Sequence, residues 1–278
     1  MGIMQDKVTI MTGGAGGIGH VAAKLFAEHG AKVVIADMNE AGGLETVEQI
    51  RAAGGEAMFV SVNLTDPESV KHAVEETVKA YGRVDSLVNV AGKQGGGYDI
   101  AHMEEKQLDA FINVNIKGTW FFMKYAAPEL VKTKGSIVNI ASLAATLGSF
   151  GGTGYGMTKG AIISMTYAVA NELGIYGVRC NAISPCITGT DYCKSVTSDE
   201  WFALRMKGNA LRRIAEPIDI ANAMLFLASD KAASCTGMNM LVDCGASVLS
   251  QPFVMGDFLP NNRFFNDDGS LIEPTEFI

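Results

Sequence analysis

Apolar positions along the first 250 residues switch between two periods, and that alternation sets out the fold. Residues 7–12 form a short β-type run, after which Ile18, Val21, Ala22, Leu25 and Phe26 recur at helical spacing until Gly30 stops the helix. Further strands are expected at 32–36, 58–62, 84–88, 136–141, 178–184 and 240–242. Asp66-Pro67 opens a helix by the cap-then-proline signal, and Gly82 closes it. The pattern predicts other helices around 108–123, from Tyr155 to Gly174 or Gly177, and from Glu216-Pro217 to Ser229-Asp230. Residues 191–212 fit neither period and read as a mobile flap over a pocket. No repeat, low-complexity tract or linker breaks the series. The expectation is one α/β domain over 1–250 built on an open parallel sheet, followed by an extension over 251–278.

The strand at 7–12 runs straight into Gly13-Gly14-Ala15-Gly16-Gly17-Ile18-Gly19. Strand, glycine turn and helix form the context of a dinucleotide fingerprint. Glycines let the backbone approach a pyrophosphate, and the helix N-terminus supplies N–H donors and partial positive charge. The second strand ends at Asp37, where a carboxylate accepts bonds from ribose hydroxyls and repels a 2′-phosphate. Met38 follows, with no Arg or Lys, so the cofactor reads as NAD. At the ends of the next two strands, Asn63-Leu64 are expected beside the adenine and Asn89-Val90-Ala91-Gly92 at the ligand-binding rim.

Composition narrows the partners. With 48% hydrophobic and 19% charged residues the chain has ample core, and its net charge of -8 argues against nucleic acid. No uncharged apolar run approaches a membrane span, and no basic-then-apolar signal precedes the first strand. Five cysteines without metal-like spacing and four scattered histidines leave no metal site and fit reduced thiols in a cytoplasm.

The candidate chemistry centres on Tyr155 and Lys159, which share a helix face at i and i+4. A phenol ionises near pH 10, and an ammonium one turn away is expected to lower that value. Tyr155 then serves as general acid/base toward an alcohol oxygen, which Ser142, at the end of the strand 136–141, holds. Asn115 sits among apolar residues in the helix around 108–123. Either its side chain or a locally opened backbone carbonyl is expected to hold a water near Lys159.

These motifs, in order and at these spacings, resemble the short-chain dehydrogenase/reductase family across roughly residues 5–247. The residues that carry the likeness are Thr12-Gly13, Gly17-Ile18-Gly19, Asn89-Val90-Ala91-Gly92, Val114-Asn115, Ser142, Tyr155, Lys159 and Asn181-Ala182-Ile183-Ser184-Pro185. The resemblance implies a doubly wound Rossmann-type sheet of about seven strands and a Ser142–Tyr155–Lys159 group assisted by Asn115. It implies Asn89 on the adenosine side, Lys159 on the nicotinamide ribose, Thr188 and Thr190 at the nicotinamide amide, and a homotetramer or dimer. Three positions depart from the family pattern. Cys186 replaces the usual Gly after Pro185, Asn63 replaces an Asp while its side-chain oxygen should still contact the adenine, and Asp243-Cys244-Gly245 stands where two glycines usually follow the Asp.

The expected reaction is hydride transfer between NAD and a secondary alcohol or ketone, oxidation favoured. Gln94, Ala144, Tyr192, Trp201 and Met206, with Ser142, are the substrate-side candidates. A tail rich in Phe, including Phe253, Phe258, Phe264 and Phe265, fits either a subunit interface or a cover over a pocket for a bulky cyclic substrate. Alternatives are a cyclic-diol dehydrogenase, a 3-oxoacyl thioester reductase and a non-catalytic NAD-binding scaffold.

Overall fold

The structure, a computed structural model, describes residues 2–95, 100–148 and 152–248. The extension over 251–278 and the centre of the glycine-rich loop 148–154 lie outside the described residues. Seven strands appear in chain order: β1 (Val8–Thr12), β2 (Lys32–Asp37), β3 (Glu56–Ser61), β4 (Ser86–Asn89), β5 (Ser136–Ile140), β6 (Arg179–Pro185) and β7 (Asn239–Val242). All pair in parallel, in the order β3-β2-β1-β4-β5-β6-β7. This is the doubly wound Rossmann-type sheet, with its order reversing between β1 and β4. Ligands bind such a sheet outside the carboxyl ends of the strands at that reversal.

Helices α1 (Gly17–Glu28), α2 (Glu40–Ala52), α3 (Pro67–Tyr81), α4 (Glu105–Phe111), α5 (Thr119–Thr133), α6 (Thr153–Gly174), α7 (Asp191–Val196), α8 (Asp199–Lys207) and α9 (Pro217–Ala228) surround the sheet. Strand side chains alternate between faces, so each buried strand feeds two cores. Met11, Val33, Ile35, Val88 and Val138 pack with Ala22 and Phe26 of α1, Ile50 of α2 and Met224 of α9. Their neighbours Ile10, Val34, Leu87 and Ile137 pack with Val70 of α3, Phe122 of α5 and Ala170 of α6. Near-continuous apolar runs are what a sheet covered on both faces requires.

Three elements differ from expectation. The helix around 108–123 is a longer composite: α4, then a π-turn over Ile112–Gly118, then α5, which continues through Pro128 to Thr133. The stretch after Thr190 is not irregular; it forms α7 and α8, each with its own side-chain cap. Thr190 accepts from Cys193 N–H at 3.1 Å and Ser198 from Trp201 N–H at 3.3 Å. Both helices are largely exposed, so no deep apolar stripe marks them in the sequence. Helix α6 starts two residues before Tyr155, which places Tyr155 in its first turn.

Beneath the rim, buried Asn139 ties three elements together. Its Oδ1 accepts from Asn89 Nδ2 of β4 at 2.8 Å, and its Nδ2 donates to Thr166 Oγ1 of α6 at 3.0 Å. This network sets how α6 lies on the sheet. Replacing Asn139 by Ala leaves the Asn89 amide and the Thr166 hydroxyl without that partner in a dry core. The expected cost is about 2–4 kcal/mol of unfolding free energy, read from urea denaturation.

Candidate active site

The glycine turn between β1 and α1 is pressed against the end of β4. Gly13 holds φ at +70°, and a Cβ there would come within 2.8 Å of Ala91 N. Thr12 Oγ1 accepts from both Val90 N–H and Ala91 N–H at 3.0 Å. A Cβ on Gly19 would overlap Gly13 O, so the third glycine of the motif is what lets α1 sit this close to β1. Gly16 and Gly17 are exposed, and a Cβ on Gly16 would meet nothing within 4 Å. Ile18 follows at the start of α1. That open backbone at a helix N-terminus fits a pyrophosphate.

Asp37 ends β2 beside this turn. Its Oδ2 accepts from Ala15 N–H at 3.1 Å and its Oδ1 from Asn39 N–H at 3.0 Å. A carboxylate has about four acceptor positions, so these bonds orient the group and leave capacity for ribose hydroxyls. Met38 beside it is exposed. Asn63 differs from expectation. Its side-chain oxygen accepts from both the Thr65 N–H and the Thr65 hydroxyl, at 3.0 and 2.8 Å. With both lone pairs engaged in that local turn, Nδ2 rather than Oδ1 is the atom left to meet an adenine. Leu64 packs against Gly118, the last residue of the π-turn. Asn89 Oδ1 is a buried acceptor without a partner at the same rim.

At the other end of the crevice, Pro185 closes β6, and Thr188 and Thr190 follow. The Thr190 methyl would lie 3.5 Å from a Cβ on Gly17. Thr188 Oγ1 donates to Cys186 O at 3.1 Å. These residues therefore come together around the glycine turn and fit a nicotinamide dinucleotide laid along the rim.

The acid/base group lies where that path ends. Lys159 is 4% exposed, and its Nζ donates to Ile140 O at the end of β5 at 2.7 Å. A Cβ on Gly92 would stand 3.5 Å from Lys159 Nζ and 3.1 Å from Asn115 Oδ1, which puts all three at one point. Both hydrogens of the Asn115 Nδ2 are committed, to Lys93 O and Thr158 Oγ1, and Oδ1 already accepts from Lys93 N–H, which leaves the side chain little room for a water. Of the two expected routes to a water, the backbone carbonyl opened by the π-turn is therefore the one this geometry favours.

Ser142 Oγ accepts from Ala144 N–H at 3.2 Å and lies close enough to the Tyr155 phenol to act on its ionisation. Burial pushes that phenol above its ordinary value, and Ser142 draws it part of the way back. The direction is opposite to the expected lowering by Lys159. The cause is geometric: the ammonium turns to the Ile140 carbonyl and lies 5.7 Å from the centre of the Tyr155 ring. Burial in turn lowers Lys159 to about 8.

Of the substrate-side candidates, Ala144 is beside the site, its carbonyl oxygen 2.7 Å from where a Cβ on Gly156 would stand. Gln94 is exposed on the segment after Gly92. Tyr192 is exposed on α7, and the ring contacts of Trp201 are with Phe202 and Arg205, all on or beside α8 together with Met206. Residues not singled out in the sequence stand closer. Phe111 meets the Tyr155 ring edge-on at 6.5 Å, and Met103 packs where a Cβ on Gly154 would be. Phe111 lies one helical turn before Asn115, a spacing that could have flagged it; Met103 carries no such signal.

A family model described as enoyl-(acyl carrier protein) reductase matches residues 13–247. The chain is 40% identical to the 2,5-dichloro-2,5-cyclohexadiene-1,4-diol dehydrogenase LinX of Sphingobium indicum, over 88% of this chain and 98% of that protein. It is 37% identical to (+)-borneol dehydrogenase 2 of Salvia officinalis, over 87% of this chain and 89% of that protein. Among solved structures, the crystal structure of gox2181 is similar with a TM-score of 0.85 and 30% identity, over 88% of this chain and 96% of that one.

The buried ammonium predicts a measurable conflict between site and stability. Lys159 is held to about 8 in the fold against 10.5 unfolded, so between those pH values the unfolded chain binds more protons and stability rises with pH. Below about pH 8 the full penalty is present. Lys159→Met should therefore be more stable than the parent at pH 7 by on the order of 2–3 kcal/mol, once the lost Ile140 bond is set against the gain. That advantage should shrink between pH 8 and 10.5 in urea titrations of the two proteins.

Proposed function

The chain belongs to the short-chain dehydrogenase/reductase family, and on that premise we propose that this oxidoreductase takes hydride from a ring-borne secondary alcohol or diol to NAD. The observation that carries the reading is the Ser142 hydroxyl beside the Tyr155 phenol, close enough to draw its value down, with Lys159 buried one turn below. Bound nicotinamide supplies the hydride acceptor. Ser142 donates to the substrate oxygen while Ala144 N–H fixes its own oxygen. Tyr155 Oη takes the hydroxyl proton. Lys159 Nζ, anchored on Ile140 O, and a water on the opened π-turn carbonyl pass that proton outward.

Phe111 and Met103 give the Tyr155 side of the site an apolar wall, which suits a ring substrate. Two relatives act, by name, on a cyclohexadienediol and on borneol, and that supports the same class here. The matching family model is described by an enoyl reduction, but a serine and a tyrosine placed on one oxygen favour alcohol and carbonyl chemistry. Asp37 supports NAD, since a 2′-phosphate would meet its carboxylate, and that disfavours an NADP-type thioester reductase. A scaffold would carry the cost of burying Lys159 for no return.

Assembly as a homo-oligomer is supported by apolar side chains left exposed on the outer faces of α5 and α6, among them Trp120, Met157 and Tyr167. A cytoplasmic setting is supported by cysteines that are all free.

Turnover is read as nicotinamide absorbance with NAD or NADP and a panel of linear, cyclic and diol alcohols. Activity confined to linear substrates would overturn the ring-alcohol reading. Tyr155→Phe should lose roughly 10²–10⁴-fold in turnover, the worth of a positioned acid/base. Because burial raises the phenol, oxidation should speed up with pH across the neutral and mildly alkaline range, and reduction should slow. Asp37→Ala should narrow the preference for NAD over NADP by about tenfold or more, seen in the ratio of kcat/KM values.

A further inference from the structure

Two departures from the family pattern, Cys186 and Cys244, are far apart in the chain and together in space. Pro185 pairs with Val242 in the β6–β7 ladder, and Cys186 N–H donates to Val242 O at 3.3 Å. The register thus carries the residues after each strand to one place on the rim. Both side chains pack in the same apolar cluster, within electrostatic reach of each other. Cys244 is 8% exposed and Cys186 more open, so a small oxidant has a way in.

Both backbones are anchored. Cys244 sits at a φ of 53°, and its carbonyl accepts from Leu211 N–H at 3.0 Å. Asp243 before it accepts from Gly245 N–H and Ser247 N–H, both at 2.9 Å. Cys186, bonded to Val242 O through its N–H and to the Thr188 hydroxyl through its carbonyl, begins the segment that leads to Thr190, which packs over Gly17.

We propose that Cys186 and Cys244 are a reversible oxidative modification site, closed to a disulfide by a peroxide, and that closure weakens dinucleotide binding. One sulfur attacks hydrogen peroxide; an S–O bond forms, the O–O bond breaks and water leaves, giving a sulfenic acid. The second thiol attacks that sulfur; the S–S bond forms, the S–O bond breaks and a second water leaves. Two thiols lose two electrons and two protons, and the peroxide becomes two waters. Burial pushes the Cys186 thiol up to about 12, so the reaction is slow and the reduced pair persists where peroxide is scarce. A covalent S–S bond is shorter than any contact between two free thiols. Closure therefore shifts the two chain segments against each other, and the bond from Thr188 to the Cys186 carbonyl passes that shift toward Thr190 and the glycine turn.

The cross-link stands apart from the substrate reading; the loss of binding rests on the dinucleotide reading, so the reduced protein is tested with NAD first. Failure of the reduced protein to bind NAD overturns that reading and the binding half of the proposal, whatever the masses show. The full-length reduced protein is then treated with hydrogen peroxide, alkylated and weighed intact and as peptides, and NAD binding is measured by calorimetry. The expected result is an intact mass lower than the alkylated reduced control by the two alkyl groups that Cys186 and Cys244 no longer take, and a peptide pair joining Cys186 to Cys244 about 2 Da lighter than the two free-thiol peptides together. NAD affinity should fall about tenfold or more and return with dithiothreitol. Cys186→Gly and Cys244→Gly, which install the family's usual residue, should lose the cross-link and the peroxide response. Cys186→Ser and Cys244→Ser give the same readout if a glycine variant does not fold. Oxidation of single cysteines without the 186–244 link, or a link that leaves NAD affinity unchanged, would overturn the proposal.

Discussion

The site depends on one interaction, the hydrogen bond from Lys159 Nζ to the carbonyl of Ile140 at 2.7 Å. A cation in a dry interior is stable only when fixed dipoles replace its water. Here β5 supplies the carbonyl, and α6 supplies the lysine. The position of α6 on the sheet is set by the bond from Asn139 to Thr166. Tyr155 rides on the same helix and Ser142 follows the same strand, so placing the cation also places the proposed proton-transfer pair. On the proposed function, the arrangement trades stability for chemistry.

That point is joined to the cofactor end by contiguous backbone. Gly13 presses on Ala91, Gly92 lies against Asn115 and Lys159, and Thr190 covers Gly17. The first leaves no room for a side chain on Gly13 and the second little on Gly92, while a Cβ on Gly17 would meet the Thr190 methyl at ordinary contact distance. The glycines of the first turn and of the β4 end therefore act as spacers that keep a dinucleotide-sized crevice connected to the acid/base group.

The sequence made the strand–helix alternation, the glycine turn, Asp37 and the Tyr155–Lys159 spacing legible, because each depends on period or separation along the chain. What it hid depends on the third dimension. A fixed helical period read 108–123 as one regular helix, since the π-turn at Ile112–Gly118 leaves the residues apolar on both sides. Helices α7 and α8 are short and mostly exposed, yet Thr190 and Ser198 were visible capping residues. Spacing alone put an ammonium next to a phenol and implied a lowered value. Burial, which spacing does not contain, reversed the direction. Asn63 was read by type, and its oxygen proved to be spent on Thr65.

The π-turn also imposes a counting rule on the molecule. Relative to a regular helix it holds an extra residue, and each residue turns a helix by about 100°. Phe111 before the turn faces Tyr155, while Trp120 after it points toward solvent. Loss of a single residue between them would swing one end of this rod against the other without touching any side chain in the site. Insertions and deletions here are thus far less tolerable than substitutions. Residue number, as well as residue identity, is under constraint in this helix.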